Sequence, residues 1–307
     1  MPTLIIKLNA TGDVVRTTTL LHCFADTSVT WITKAPNTEL FSNPAVRCLE
    51  WSERERALDT HYDLLINLED DLPCAEFATT VEHGRRYGAY LDDRGSVAYT
   101  DDSREWFDLS LSSRFGRQRA DELKLVNRRT YQDLIFGGLG LTFTGQSYLL
   151  PAPAPTPLAG DVAIAPVAGP VWPMKGWAYY GQLQRELEAA GYRVNVLPRR
   201  DTLLDHLGDV ANHRCLVSGD SLPMHFALGT GTPCVTLFNC TSPWEIYDYG
   251  IQTKLVSPLL DQFFYKRMFD ETATTAIRLE DVFDAVMHWL RTDPASGPTA
   301  KRAAVTP

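Results

Sequence analysis

Short apolar runs alternate with helix-like stretches along this chain, and the alternation restarts after one proline-rich segment. That segment is PAPAPTPLAG (151–160), with four prolines in ten residues, a composition that favours stiff, extended backbone. Before it, TLIIKLN (3–9), VTWIT (29–33) and YDLLINLE (62–69) have the length and apolar character of buried strands. VVRTTTLLHCF (14–24) stands between the first two with helical spacing. After it, strand-like DVAIAPV (161–167), YRVNVLP (192–198), RCLVS (214–218) and PCVTLF (233–238) alternate with helix-like WAYYGQLQRELEAAG (177–191), TLLDHLGDV (202–210) and PMHFALGTG (223–231). Strand–helix–strand order calls for parallel sheets with helices on their faces. The expected fold is α/β: two Rossmann-like domains facing each other across a cleft, at 1–150 and 161–277, joined by the 151–160 linker. A last amphipathic helix is expected at 278–292. The 293–307 tail has no core-forming pattern and reads as disordered.

The 76–150 stretch is less regular. RRYGAYLDDRGSVAYT alternates like a hairpin, and ADELKLVNRRTYQDLIFGGLG (120–140) reads as one helix ending at a glycine cap. Lys124, Arg128 and Arg129 on that helix read as a solvated face.

The 307 residues suit two medium domains, and 44% hydrophobic with 22% charged residues is ordinary for a globular protein. The net charge of -9 shows no basic face for nucleic acid. No apolar run approaches the about 20 residues of a membrane span, so no integral membrane segment is expected and peripheral association stays open. Six cysteines lie at 23, 48, 74, 215, 234 and 240 with no C-x-x-C pair. That spacing argues against zinc and suggests reduced thiols in a cytoplasmic protein. His206 and His213 have no third ligand nearby in sequence, so no metal site is assigned.

In open α/β sheets, ligands bind at the carboxyl ends of strands. Two such ends carry chemistry here. NATGDVV places Asp13 at a strand-to-helix turn, where it is either an N-cap or a general base accepting a proton from a hydroxyl. Gly12 would permit a sharp turn and close ligand approach. SGDSLPMHFALGTG leaves a strand through Asp220 and Ser221 and begins a helix at Leu222-Pro223, with His225 one turn in. One of the two polar residues could cap that helix; alternatively its free amides could meet a phosphate. Lys175, in the loop GPVWPMKGW after a strand, is either a surface lysine or a phosphate contact. Trp172 and Trp177 flank it, as core residues or as a stacking surface for a base.

Together the two strand ends resemble family 9 glycosyltransferases, the lipopolysaccharide heptosyltransferases and their relatives. LIIKLNATGDVVRTTTLL is similar to the N-terminal motif of that family, and LVSGDSLPMHFALGTGTPCVTLFNCTSPWE to its C-terminal donor motif. The resemblance implies a GT-B architecture, with acceptor bound by the first domain and nucleotide-sugar by the second. It implies inverting transfer without a metal or other cofactor, from a donor such as ADP-heptose. Asp13 matches the catalytic base. Lys175 matches a donor-phosphate contact. Asp220, Ser221, Leu222, Pro223 and His225 fall in the donor-binding run, and Arg16 and Gly12 of the first motif are expected to join them at the donor phosphates. Arg16 stands where the lipopolysaccharide enzymes often have His, and LPRRD lacks their Gly-rich, Glu-containing turn. The acceptor, whether glycan, protein or small molecule, is not set by these motifs. Two other classes fit an α/β cleft: a non-catalytic nucleotide-sugar-binding module and an NAD(P)-dependent oxidoreductase. The second lacks a clear glycine-rich first turn.

Overall fold

A computed structural model of the chain describes residues 1–42, 44–109 and 115–292. The expected tail at 293–307 lies outside them. The first half contains β1 (Thr3–Ile6), α1 (Thr11–Thr17), β2 (Val29–Thr33), β3 (Val46–Glu50), β4 (Tyr62–Asn67), α2 (Leu72–Thr80), β5 (His83–Leu91), β6 (Val97–Tyr99), α3 (Arg104–Asp108), α4 (Gly116–Val126) and α5 (Tyr131–Leu139). Its sheet runs β3-β2-β1-β4-β5-β6, with only β6 antiparallel. The second half contains β7 (Gly160–Ala165), α6 (Tyr180–Ala189), β8 (Val194–Val196), α7 (Leu203–Ala211), β9 (His213–Gly219), α8 (Leu222–Thr230), β10 (Cys234–Phe238), β11 (Gln252–Val256), α9 (Leu260–Phe263), α10 (Glu271–Thr275) and α11 (Leu279–Arg291). Its sheet runs β11-β10-β9-β7-β8 and is parallel throughout.

Both sheets are doubly wound, as the strand–helix alternation requires. In the first, the chain moves outward from β1 to β3, then returns to place β4 on the other side of β1. In the second, β8 lies on one side of β7 and β9 on the other. The crevices between β1 and β4 and between β7 and β9 are therefore topological switch points, where such sheets take ligands.

Alternate side chains explain why the central strands are continuous apolar runs. Ile5 faces one hydrophobic cluster, while Leu4 and Ile6 face another on the opposite side of the sheet, and all three are fully buried. Val162 and Ile164 likewise point away from Ala163. Each such burial contributes roughly 1.5–3 kcal/mol for a Val, Leu or Ile side chain. The cluster holding Ile5 also holds Met224, Phe226, Phe238 and Ile246, so one core runs across the junction of the two halves. None of the six cysteines forms a disulfide.

Several local expectations are corrected. The 14–24 stretch is not one α-helix: α1 begins earlier, at Thr11, and gives way to a 3-10 segment at Thr18–Phe24. Thr18 and Thr19 turn their hydroxyls onto the carbonyls of Val15 and Arg16, three residues back, a bonding pattern that competes with regular α-helix. The 120–140 stretch is two helices rather than one. Thr130 accepts from the Asp133 amide at 3.1 Å while Asp133 takes the Thr130 amide at 3.0 Å. That capping box starts a new helix, α5, which ends at Gly140 in the left-handed conformation. The hairpin of β5 and β6 forms, but β5 also pairs in parallel with β4 and so belongs to the main sheet.

Lys124 does not lie on a solvated face. It is 6% exposed, packed beneath elements from the second half. Arg128 stacks on Trp244 with its guanidinium carbon 3.7 Å from the ring centre, and Arg129 pairs with Glu105. The second half covers this end of the helix, and amphipathic spacing could not reveal that.

Candidate active site

The turn after β1 is held from three sides. Lys7, buried at the strand end, pairs with Glu69 at 2.8 Å and also donates to the Asn9 carbonyl. The same Glu69 oxygen accepts from the amides of Leu8 and Asn9 at 2.7 and 3.0 Å. Asn37 donates to the Leu8 carbonyl at 2.9 Å and accepts from the Thr11 hydroxyl at 2.8 Å. Glu69 follows β4, so the β1–β4 crevice is bridged by its carboxylate. Lys7, Glu69 and Asn37 were missed by sequence reasoning; a lysine ending an otherwise apolar strand was the available signal.

This frame fixes the start of α1, whose N-cap is Ala10, with no side-chain cap. Asp13 is thus inside the first turn and does not act as an N-cap. Arg16 binds it through Nη2 at 2.8 Å and Nε at 3.1 Å. Both contacts fall on Oδ1. Among the described residues nothing is bonded to Oδ2, and one third of the side chain is exposed (34%). Burial would raise the Asp13 pKa, but Arg16, with help from Lys7 and His225, outweighs it and holds the carboxyl below its ordinary value. Asp13 is therefore ionised at neutral pH, with one oxygen oriented and one open. Arg16 is itself fixed by Tyr131, over whose ring it sits at 3.7 Å. Thr17, Thr18 and Thr19 are fully buried packing residues.

The second switch point carries the other charged pair. Lys175, in the turn Pro173–Lys175, binds Asp220 at 3.0 Å, and both side chains are largely buried. Gly219 makes this possible: a Cβ there would lie 2.4 Å from the Lys175 carbonyl oxygen. Asn239 anchors the turn by donating to the Gly176 carbonyl at 2.8 Å. Burial opposes ionisation of Asp220, yet Lys175 and then His225 push its pKa down to about 2. Trp177 is a core residue, donating to the Ile277 carbonyl at 2.9 Å. Trp172 is half-buried and packs edge-on against Tyr265, not against an open surface.

Neither Asp220 nor Ser221 caps α8. Ser221 occupies the N-cap position without a side-chain cap bond, and its hydroxyl donates instead to the Gly219 carbonyl. Pro223 sits at the second helical position, where its missing N–H costs nothing. Beside this helix start lies a cleft of about 290 Å³. It is lined by the loops after β7 and β8, by His206 and by Ser221, Leu222 and Pro223. Gly231 ends α8 in the left-handed conformation, and Gly229 abuts Leu150.

The two sites touch. A Cβ built on Gly12 would stand 2.6 Å from Cδ2 of His225. Gly12 is thus required for packing of α1 against α8; it lies within α1 and makes no sharp turn. His225 is 5% exposed, and its Nδ1 has no hydrogen-bond partner among the described residues. Burial, then Arg16, lowers its pKa to about 4, against the pull of Asp220 and Asp13. A neutral imidazole therefore separates two ionised carboxylates, one from each half. Glu39 adds a second link between the halves, accepting from the Leu203 amide at the start of α7 at 2.8 Å.

Among the described residues no group of three or more His, Cys, Asp or Glu side chains could hold a metal ion. Among them, too, no helix is long and apolar enough to cross a membrane.

No protein-family model matches the sequence, and no curated protein does. Solved structures do match in three dimensions. The glycosyl transferase family 9 protein from Veillonella parvula aligns at TM-score 0.66 with 15% identity, over 94% of this chain and 97% of that one. The E. coli heptosyltransferase WaaC with ADP aligns at 0.63 and 15%, over 94% and 100%. The E. coli ADP-heptose lipopolysaccharide heptosyltransferase II aligns at 0.60 and 14%, over 94% and 98%. At such identities the likeness concerns the fold. Two Rossmann-like α/β domains in the arrangement of these proteins place the chain in the GT-B fold class.

Proposed function

We propose that the chain is an inverting, metal-independent glycosyltransferase of the family 9 kind, with residues 1–150 holding the acceptor and 161–277 the nucleotide-sugar. The sugar proposed is heptose, from ADP-heptose, on the strength of the sequence motifs and of the fold shared with heptosyltransferases. The observation that carries the reading is the pairing of two preorganised ends. Asp13 offers a free Oδ2 on one side of the Gly12–His225 contact, and Lys175, Asp220 and the uncapped start of α8 lie on the other.

The chemistry follows from these positions. Asp13 Oδ2 takes the proton of the acceptor hydroxyl as that oxygen attacks the sugar carbon bonded to phosphate. The carbon–oxygen bond to the nucleoside diphosphate breaks, and the electron pair leaves with the diphosphate. Lys175 has three N–H donors and spends one on Asp220, so two remain for phosphate oxygens. The Ser221 and Leu222 amides add fixed dipoles where charge develops. Asp220 faces the sugar, and the cleft beside Leu222 and Pro223 takes the nucleoside. Arg16 lies on the acceptor side, where it orients Asp13.

Calorimetry with ADP and other nucleoside diphosphates tests the donor site. Binding to the wild type that falls at least tenfold in Lys175→Ala, with folding intact, supports it. Equal affinity in the two proteins removes Lys175 from the site. Nicotinamide-nucleotide binding in preference to diphosphates would point to the oxidoreductase class instead.

A further inference from the structure

One carboxylate oxygen of Glu69 accepts three N–H groups. Its Oε1 takes the Lys7 ammonium at 2.8 Å and the amides of Leu8 and Asn9 at 2.7 and 3.0 Å. The pair is largely buried, with 7% of the Lys7 side chain and 13% of the Glu69 side chain exposed. A glutamine oxygen could accept the two amides equally well. It would leave the buried ammonium without a counter-charge, which is costly away from water. The amides thus ask only for an oxygen; Lys7 asks for a carboxylate.

The pair reaches Asp13 through the backbone. Lys7 also donates to the Asn9 carbonyl. The next residue, Ala10, is the N-cap of α1, and its carbonyl accepts from the Val14 amide at 2.9 Å. Asp13 lies between those two residues, in the first helical turn. Glu69 comes from the end of β4, across the crevice from β1, so the start of α1 is anchored to a second strand of the sheet.

The pair also reaches Asp13 by charge. Burial favours the protonated form of Asp13; Arg16 on its own helix, then Lys7 from β1, then His225 from α8 favour the ionised one. Tyr131 from α5 and Lys124 from α4 feel the Asp13 charge as well. Arg16 is held on Oδ1 by the Tyr131 ring, and the Tyr131 amide donates to the Glu245 carbonyl at 3.0 Å. Lys7 is held, and its charge balanced, by Glu69.

We propose that Glu69 is a positioning residue for the transfer reaction: it fixes the turn from which Asp13 works and offsets the Lys7 charge, so that Oδ2 remains a strong enough base to take the acceptor proton. The proposal rests on the reading of Asp13 as that base. Without the Glu69 charge, Lys7 acts on Asp13 unopposed, Asp13 holds a proton less well, and proton transfer slows. Without Lys7, the Glu69 charge acts alone and the balance tips the other way.

The test titrates the Asp13 carboxyl by carbon-13 NMR in wild type, Glu69→Gln, Lys7→Met and the double variant, with Asp13→Asn assigning the resonance. The midpoint is expected to fall by about half a pH unit or more in Glu69→Gln and to rise by about as much in Lys7→Met, with the double variant between them. Disturbed structure alone gives no reason for opposite signs. Midpoints that move the same way in both single variants, or do not move, would overturn the proposal. Should Glu69→Gln alone fail to fold, the double variant set against Lys7→Met reads the same charge, and equal midpoints in those two would overturn it. In transfer, Glu69→Gln is expected to lower kcat about tenfold with the KM for nucleotide-sugar unchanged; a raised KM at wild-type kcat would contradict a positioning role. Opposite titration shifts in a protein that transfers no sugar would sink the functional reading and leave the charge balance standing. Shifts of one sign in a protein that does transfer would do the reverse.

Discussion

The imidazole of His225 occupies the space in which residue 12 would carry a side chain, at 2.6 Å from an ideal Cβ to Cδ2. Through this contact the helix bearing Asp13 rests directly on the helix that follows Asp220. The approach of the two helices, one bearing Asp13 and the other following Asp220, therefore depends on a glycine.

Gly12→Ala puts a methyl group into that contact. The ring is buried, so either the ring or the α1–α8 packing must shift. Overpacking of this kind costs about 1–3 kcal/mol. The expected result is a lower midpoint in urea unfolding and a lower turnover, since Asp13 and the donor site move apart. Unchanged values in both would show that the helices do not need this approach.

His225 gives stability a defined dependence on pH. Its folded pKa of about 4 lies below the ordinary 6.5, so between those values the unfolded chain binds the extra proton. Stability is then lost as pH falls from about 6.5 towards 4, by up to about 3 kcal/mol. Unfolding free energies measured across that range should slope accordingly in the wild type and flatten in His225→Gln. Asp220, held at about 2 by Lys175 and His225, adds a loss only below its ordinary 3.8, as pH falls towards 2.

The Lys175–Asp220 pair is predicted to show strong coupling. Removing one partner leaves a buried charge uncompensated, a change that costs about 3–5 kcal/mol. Lys175→Met should destabilise by that order, and adding Asp220→Asn should restore much of the loss. A double-mutant cycle by chemical denaturation measures it. Additive effects would mean that the two side chains do not share their charge.

Glu39 caps α7 from the opposite half. Replacing a capping carboxylate costs about 1 kcal/mol. Glu39→Gln is expected to lower stability by roughly that amount and to make the cleft open more readily, seen as a larger radius of gyration in small-angle scattering. A variant as compact and stable as the wild type would assign no latch role to Glu39.

Much of this architecture was legible because local and global signals agreed. The runs around Ile5, Ile164 and Val217 are apolar on both faces, which only a covered parallel sheet explains. Asp13, Lys175 and Asp220 lie in the segments that follow β1, β7 and β9, the side on which open α/β sheets take their ligands. What escaped was tertiary. Lys124 lies on a helix whose own spacing looks solvent-facing, yet it is covered by Tyr265, more than a hundred residues away. Glu69, Asn37 and Glu245 act through bonds to distant backbone, which no local pattern marks. The break between α4 and α5 was readable: Thr130 and Asp133 carry capping-box spacing, but the continuous apolar pattern masked it. The edge strand β11, QTKLV, is half-buried and partly polar and gives no strand signal of its own.

The central claim, sugar transfer with Asp13 as base, is tested most directly by single-turnover release of nucleoside diphosphate from a nucleotide-sugar, with and without acceptor, in wild type and Asp13→Asn. Acceptor-dependent release that drops on the order of a hundredfold or more in the variant, while diphosphate affinity stays close to wild type and the protein stays folded with a midpoint lowered by loss of the Arg16 pair, is the predicted result. Transfer by Asp13→Asn at the wild-type rate, in a folded protein that binds donor normally, would contradict it.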